Sequence, residues 1–361
     1  MKTAFLAVLL LLFTGSWTCS ADDLYDLNVK GADAFRNKDY GLALTYFNNV
    51  IRHDTNNATA YYSRGWAYLK TTQYDDALID LNRAAALLQT NSQVFMLRAT
   101  LYSEMSNYDN AISDYSNAIS CDPSNANAFV GRALSYNMER RYRLAIADSD
   151  RAIMINPLLA YAYRQRGDAN AGIGNLSEAI NDYNRAIQLD PAEGTTYFVR
   201  ALTFTLKGDF HNSIPDFTKV IENDPKNALA YTDRGLSYSK VGNYSKGIDD
   251  CNVAITLETN FAGAYNNLAW LLAVCPDAKL RNGQQALEYA KKACELYSWK
   301  EPHALGTLAA AYAEVGNFVE AVKWQKKCME SGLPGSEMEL AQKQLDLYQQ
   351  KKPYHEINQP L

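Results

Sequence analysis

The chain has 361 residues, 47% hydrophobic and 21% charged, which excludes wholesale disorder and leaves room for more than one domain. Its 35 Lys and Arg against 40 Asp and Glu give a formal net charge of -5, so no electrostatic footprint for nucleic acid is present and no such partner is expected. A mean hydropathy of -0.32, with the one long apolar run at the N-terminus, excludes a polytopic membrane protein.

Lys2 precedes a ten-residue apolar run, Ala4 to Phe13, followed by Gly15, Ser16 and the small-residue stretch Thr18-Cys19-Ser20-Ala21 before Asp22-Asp23. This is the pattern of a secretory signal peptide at 1–21, with cleavage expected after Ser20 or Ala21 and export to the cell envelope or beyond. A ten-residue helix spans only about 15 Å, half the hydrocarbon thickness. Membrane contact is therefore expected only if residues 3–21 stay as an anchor or if Cys19 is lipidated, and Trp17-Thr18 makes a poor lipobox. Five cysteines would remain after cleavage, Cys121, Cys251, Cys275, Cys294 and Cys328. The odd count and the lack of a CxxC pair argue for small buried side chains on helices, with Cys275 alone expected in an exposed loop.

From residue 24 the sequence aligns with itself at a period of 34, in seven gapless blocks that fill 24–261. Position 8 of the blocks is always Gly or Ala, from Gly31 and Gly65 to Gly235, and position 20 runs from Ala43 through Ala179 to Ser213 and Gly247. Small residues at fixed places let two helices approach closely. Position 4 adds rings (Tyr61, Phe95, Phe129, Tyr163, Tyr197, Tyr231) that fill the space beside them. Apolar spacing of three and four predicts helices over positions 1–14 and 18–31, parted by turns such as Gly208-Asp209 and closed by Asp-Pro or Asn-Pro steps such as Asp122-Pro123.

Two charged columns accompany the small ones. Position 7 carries Arg64, Arg98, Arg132, Arg166, Arg200 and Arg234, and position 23 carries Asp80, Asp114, Asp148, Asp182, Asp216 and Asp250. In the first block the pair is Lys30 with Tyr46, and in later units it becomes Leu268 with Tyr289 and Leu308 with Trp324, so the two columns disappear together. An arginine beside a close-packed position is partly desolvated and needs a fixed anion. Six structural ion pairs, each within one repeat, are expected.

After residue 261 the rhythm changes. The stretch 262–335 holds two divergent units, the first with five extra residues around Cys275-Pro276-Asp277, the second with Ala309, Tyr312, Ala321 and Cys328 at the repeat positions. Residues 336–361 read as a capping helix and tail: Ser336-Glu337-Met338-Glu339 has capping-box form, Met338, Ala341, Leu345 and Tyr348 form one stripe, and 356–361 is expected to fray.

A 34-residue helix-turn-helix unit with this small and aromatic pattern resembles the tetratricopeptide repeat (TPR) family, over residues 24–335. The resemblance implies an all-α, right-handed α-solenoid of about nine helix pairs with a C-terminal capping helix, and a concave surface lined by the first helices. The segments Ala269-Trp270-Leu271-Leu272-Ala273-Val274-Cys275-Pro276-Asp277 and Lys352-Pro353-Tyr354-His355-Glu356 look like the C-terminal unit of many bacterial TPR proteins.

Enzyme signatures are missing. His53, His211, His303 and His355 are scattered, Gly172-Ile173-Gly174 lacks a third glycine and a preceding strand, and Asp148-Ser149-Asp150 falls within a helix without the glycine of a calcium loop. By the resemblance, positions 2, 5, 9, 12 and 13 line the groove, which here presents Trp66, Leu69, Met96, Val130, Leu134, Met138, Phe198, Leu202, Leu206 and Leu236, interrupted by Arg164 and Asp168. Such a stripe suits a partner's helix or extended segment. Family members that grip a C-terminal carboxylate place Lys at position 5 and Asn at position 9, and no block here does. The sequence therefore points to a non-enzymatic scaffold that binds a protein or peptide without a cofactor. A self-associating structural solenoid is the alternative, and an enzyme built on a Cys275 thiol is a third reading.

Overall fold

In the computed structural model the described residues are 20–357, so the expected signal segment lies outside them apart from Ser20 and Ala21. Nineteen helices and no strand occur among the described residues. The chain falls into two compact units, divided between Ile173 and Gly174.

The first unit contains α1 (Ala21–Arg36), α2 (Tyr40–His53), α3 (Ala58–Lys70), α4 (Tyr74–Leu87), α5 (Ser92–Glu104), α6 (Tyr108–Cys121), α7 (Ala126–Met138), α8 (Tyr142–Ile155) and α9 (Ala160–Gly172). Successive helices pack as pairs, α1 on α2 through α7 on α8, and alternate helices such as α7 and α9 also touch. Helix α1 begins three residues before the first aligned block. There Ser20 accepts from the Asp23 amide and Asp23 accepts from the Ser20 amide, a reciprocal cap.

The second unit contains α10 (Leu176–Leu189), α11 (Gly194–Leu206), α12 (Phe210–Asn223), α13 (Ala228–Lys240), α14 (Tyr244–Leu257), α15 (Ala262–Val274), α16 (Gly283–Leu296), α17 (Pro302–Glu314), α18 (Phe318–Glu330) and α19 (Gly335–Gln349). Here α11 pairs with α12, α13 with α14, α15 with α16 and α17 with α18, and α19 closes the end against α18.

Each first helix stops at position 13 and each second helix occupies positions 17–30, one residue earlier than the alternation predicts. The cause is local. Position 15 takes a left-handed backbone, at Gly208 and Gly242 without strain but also at Thr72 (φ 59°) and Arg140 (φ 56°). Asp39, Asn107, Asp209 and Asn243 then cap the second helices with their side-chain oxygens.

The small columns sit at the helix crossings. Ala43, Ala77, Ala111, Ala145, Ala179 and Ser213 are wholly buried. A Cβ added to Gly247 would meet the Gly235 carbonyl oxygen at 2.8 Å, so α13 and α14 touch backbone to backbone.

Three expectations for the C-terminal part need correction. Helix α19 starts at Gly335 behind Pro334, whose fixed φ of -55° sets the helix entry, so Ser336 is already helical and forms no cap. Cys275 is wholly buried and Cys121 is the exposed thiol. Cys121 ends α6 on an uncovered last turn, whereas Cys275 lies in the cluster formed by Leu271, Leu272 and Val274, against which Trp270 and Tyr354 pack. Of the tail expected to fray, residues 358–361 lie outside the described residues, and Glu356 is held: its amide donates to the Val274 carbonyl (2.8 Å), and its carboxylate accepts from Trp270 Nε1 (3.0 Å) and Tyr244 Oη (3.3 Å). The extra loop is stapled as well, with Arg281 donating to the Cys275 carbonyl (2.7 Å) and to Glu314 (2.9 Å), which also meets His355 at 2.7 Å. The stripe on α19 buries Ala341, Leu345 and Tyr348.

Candidate functional site

The two charged columns meet within single repeats. Arg64 Nε and Nη2 donate to the two oxygens of Asp80 (2.7 and 2.6 Å). The same bidentate fork joins Arg98 to Asp114, Arg132 to Asp148, Arg200 to Asp216 and Arg234 to Asp250. Arg166 bonds Asp150 at 2.6 Å in the first unit, and Asp182 is buried in the second.

A third partner escaped the sequence reading. Nη1 of each of these arginines reaches back 16 residues to an acceptor on the preceding repeat: Asn48, Asn82, Ser116, Asp150, Asn184 and Thr218. Position 25, always a hydrogen-bond acceptor in these blocks, was the available signal. Hydrogen bonds to the aspartates hold Arg64, Arg98, Arg132 and Arg234 above the ordinary guanidinium range. Burial pushes the Asp80 carboxyl up, against the pull of Arg64. With both edges of the fork engaged, the ladder fastens repeats and offers no free cation to a ligand.

The apolar residues form a site on the first unit. Trp66 and Leu69 on α3 and Met96 on α5 line a hollow of about 420 Å³ together with Tyr62, Gln93 and Asn127. Sequence reasoning missed Phe35 of α1, which lies against Trp66 with ring centroids 4.8 Å apart, and Tyr62, at 6.1 Å. Trp66 is still 37% exposed, and Gln93 and Asn127 are exposed at the edge. An aromatic and thioether floor with amides at the rim can take an apolar side chain while hydrogen-bonding the backbone that carries it.

The remaining groove residues divide. Val130 is not on the surface: it is 3% exposed, packed with Phe129, Ala152 and Ala162, because small Ala162 lets α9 close over it. Leu134 is half-buried and Met138 exposed on α7. On α9, half-buried Arg164 lies 4.4 Å over the Tyr161 ring, and Asp168 is half-buried. In the second unit Phe198 packs edge-on against Phe217 at 6.0 Å, Leu202 and Leu236 are half-buried, and Leu206 is exposed.

The four buried thiols are held protonated. Burial pushes Cys251 and Cys294 up to about 12, Cys328 up to about 11, and Cys275 upward as well. The reading that places an enzyme at Cys275 needs an exposed, acidified thiol and loses its basis.

One carboxyl stands out in the second unit. Burial raises Asp233 on α13 to about 6. An acid whose folded pKa lies above its unfolded value binds more protons when folded, so its stabilisation is greatest at low pH and is lost as pH rises from about 4 to 6. Asp233→Asn is expected to raise unfolding stability by about 1–2 kcal/mol at pH 7 and to leave it unchanged at pH 4, read by denaturant titration at both values. Equal effects at the two pH values would refute a charge penalty at this position.

Tetratricopeptide repeat families match the chain over residues 29–92 and 96–157, 160–193, 194–227 and 217–249. Among solved structures, a tetratricopeptide repeat protein from Parabacteroides merdae is similar at 21% identity, covering 68% of this chain and 97% of its own, with a TM-score of 0.55. The C-terminal part of a TPR repeat-containing protein from Cytophaga hutchinsonii is similar at 18% identity, covering 66% and 98%, with a TM-score of 0.51. These are likenesses of fold. No curated protein sequence matches the chain.

Proposed function

We propose that this chain, which belongs to the tetratricopeptide repeat proteins, is a non-enzymatic scaffold that binds a protein or peptide partner in an exported compartment. The hollow lined by Trp66, Leu69 and Met96 carries the reading, because it is an apolar, aromatic-walled surface left open on first helices whose arginines are otherwise engaged. An apolar anchor of the partner seats on Trp66, and Gln93 and Asn127 hold its backbone. The compartment rests on the Lys2 and Ala4–Phe13 pattern, and N-terminal sequencing of the protein from its own cells tests it: a start at Ala21 or Asp22 supports export.

Trp66→Ala is expected to weaken partner binding by about 2 kcal/mol, roughly thirtyfold, with the chain still folded despite the lost contacts to Phe35 and Tyr62. Met96→Asp is expected to abolish it. Partner affinity measured by calorimetry that is the same for both variants and the parent chain would refute the site.

A further inference from the structure

The second unit holds a cavity of about 440 Å³, walled by first helices on one side and by α18 and α19 on the other. Its residues are distinct from those of the Trp66 hollow. Gln325 lines it and is wholly buried. The Gln325 Nε2 donates to the Ala341 carbonyl (3.0 Å) and to Gln344 Oε1 (3.1 Å). Two acceptors on that side fix the orientation of the amide, so Oε1 is the end without a partner. A second wall residue, Asn266 on α15, likewise has a buried oxygen without a partner. A buried acceptor that lacks a donor costs about 1–3 kcal/mol, and two in one cavity mark a place where donors are wanted.

Carboxylates outnumber the one lysine at the rim. Glu301 and Glu337 line the opening together with Lys240 and His303, and Glu337 meets His303 Nδ1 at 3.4 Å. Trp270 lines the cavity with its N–H already given to Glu356. The Cys328 thiol in the wall is kept protonated by burial and contributes no negative charge. Two uncharged acceptors in the wall, and two carboxylates against one lysine at the opening beside an indole, suit a planar cation rich in N–H groups.

We propose that this cavity is a binding site for a guanidinium group, carried either on an arginine side chain of a polypeptide or on a free small molecule. Acetyl-arginine amide, titrated into the full chain while the Trp270 indole resonance is followed, is expected to give a saturable shift. The neutral isostere acetyl-citrulline amide is expected to bind at least about tenfold more weakly. Gln325→Met should weaken acetyl-arginine amide by about tenfold or more, and Glu337→Gln by about threefold. Glu337 is 45% exposed on the first turn of α19, so its variant keeps the fold and decides the matter if Gln325→Met does not fold. Tighter binding of acetyl-Gly-Arg-Gly-amide than of agmatine identifies a polypeptide source, and the reverse a free ligand. Absence of a saturable shift, equal binding of the citrulline probe, or affinity unchanged in Glu337→Gln would overturn the proposal.

Discussion

Asp114→Ala is expected to destabilise the protein by about 3–5 kcal/mol, the range for removing one partner of a buried ion pair. Asp114 is 3% exposed and takes both hydrogen bonds of the Arg98 fork, at 2.6 and 2.8 Å. Without it a guanidinium lies beside the Phe95 ring, 5.8 Å away, with only Asn82 on the preceding repeat to bond. The loss therefore falls on two repeats, and a repeat array transmits damage at one interface to its neighbours. Contrast Lys30 and Asp26, an equally close pair at 2.6 Å whose side chains are more than half exposed. Removing either of those should cost far less, because solvent screens an exposed pair. The double variant Arg98→Leu with Asp114→Leu should recover most of the loss, because no charge is then left buried. Urea unfolding of the single and double variants checks this, and a loss under about 1 kcal/mol in Asp114→Ala would contradict the account.

Ending the chain after Lys352 is expected to cost the second unit about 3–6 kcal/mol, from the packing of Tyr354 and the bonds of Glu356. Tyr354 packs with its ring centroid 6.2 Å from that of Trp270, and among the described residues Glu356 is the acceptor for both Trp270 Nε1 and Tyr244 Oη. Burial, reinforced by the negative Glu356, raises Tyr244 to about 12, the mark of a phenol that holds its proton and donates it. The shorter change Glu356→Gln should be milder, since an amide oxygen still accepts. Truncation should also uncover Cys275, so its rate of thiol modification is a second reading of the same event. Unchanged stability together with an inert Cys275 would show that the tail is not a strap.

The repeat and its pairing were legible because they are properties of one column at a time. A helix crossing that tolerates only Gly, Ala or Ser shows itself in each block, and a charge that vanishes with its partner names that partner. What escaped depends on two or more distant segments. Whether Val130 is surface or core is decided by Ala162 on another helix, and whether Cys275 is exposed is decided by residues some eighty positions later. The capping box at Ser336 failed because Pro334, two residues earlier, had already set the helix entry. The Trp66 hollow was half legible: Trp66, Leu69 and Met96 were read as groove residues, whereas Phe35 and Tyr62, at groove positions 12 and 5, were passed over because their packing against Trp66 joins two repeats or two turns of a helix.

Partner binding in the Trp66 hollow is open to a direct test. A photo-cross-linking residue placed at Leu69 or Met96, with Ile79 of α4 as an exposed control, tests it most directly in cells of the native source. One partner protein joined at 69 and 96 through a single short segment, and none at 79, is the expected result. The same adducts at all three positions, or adducts at 79 alone, would contradict it.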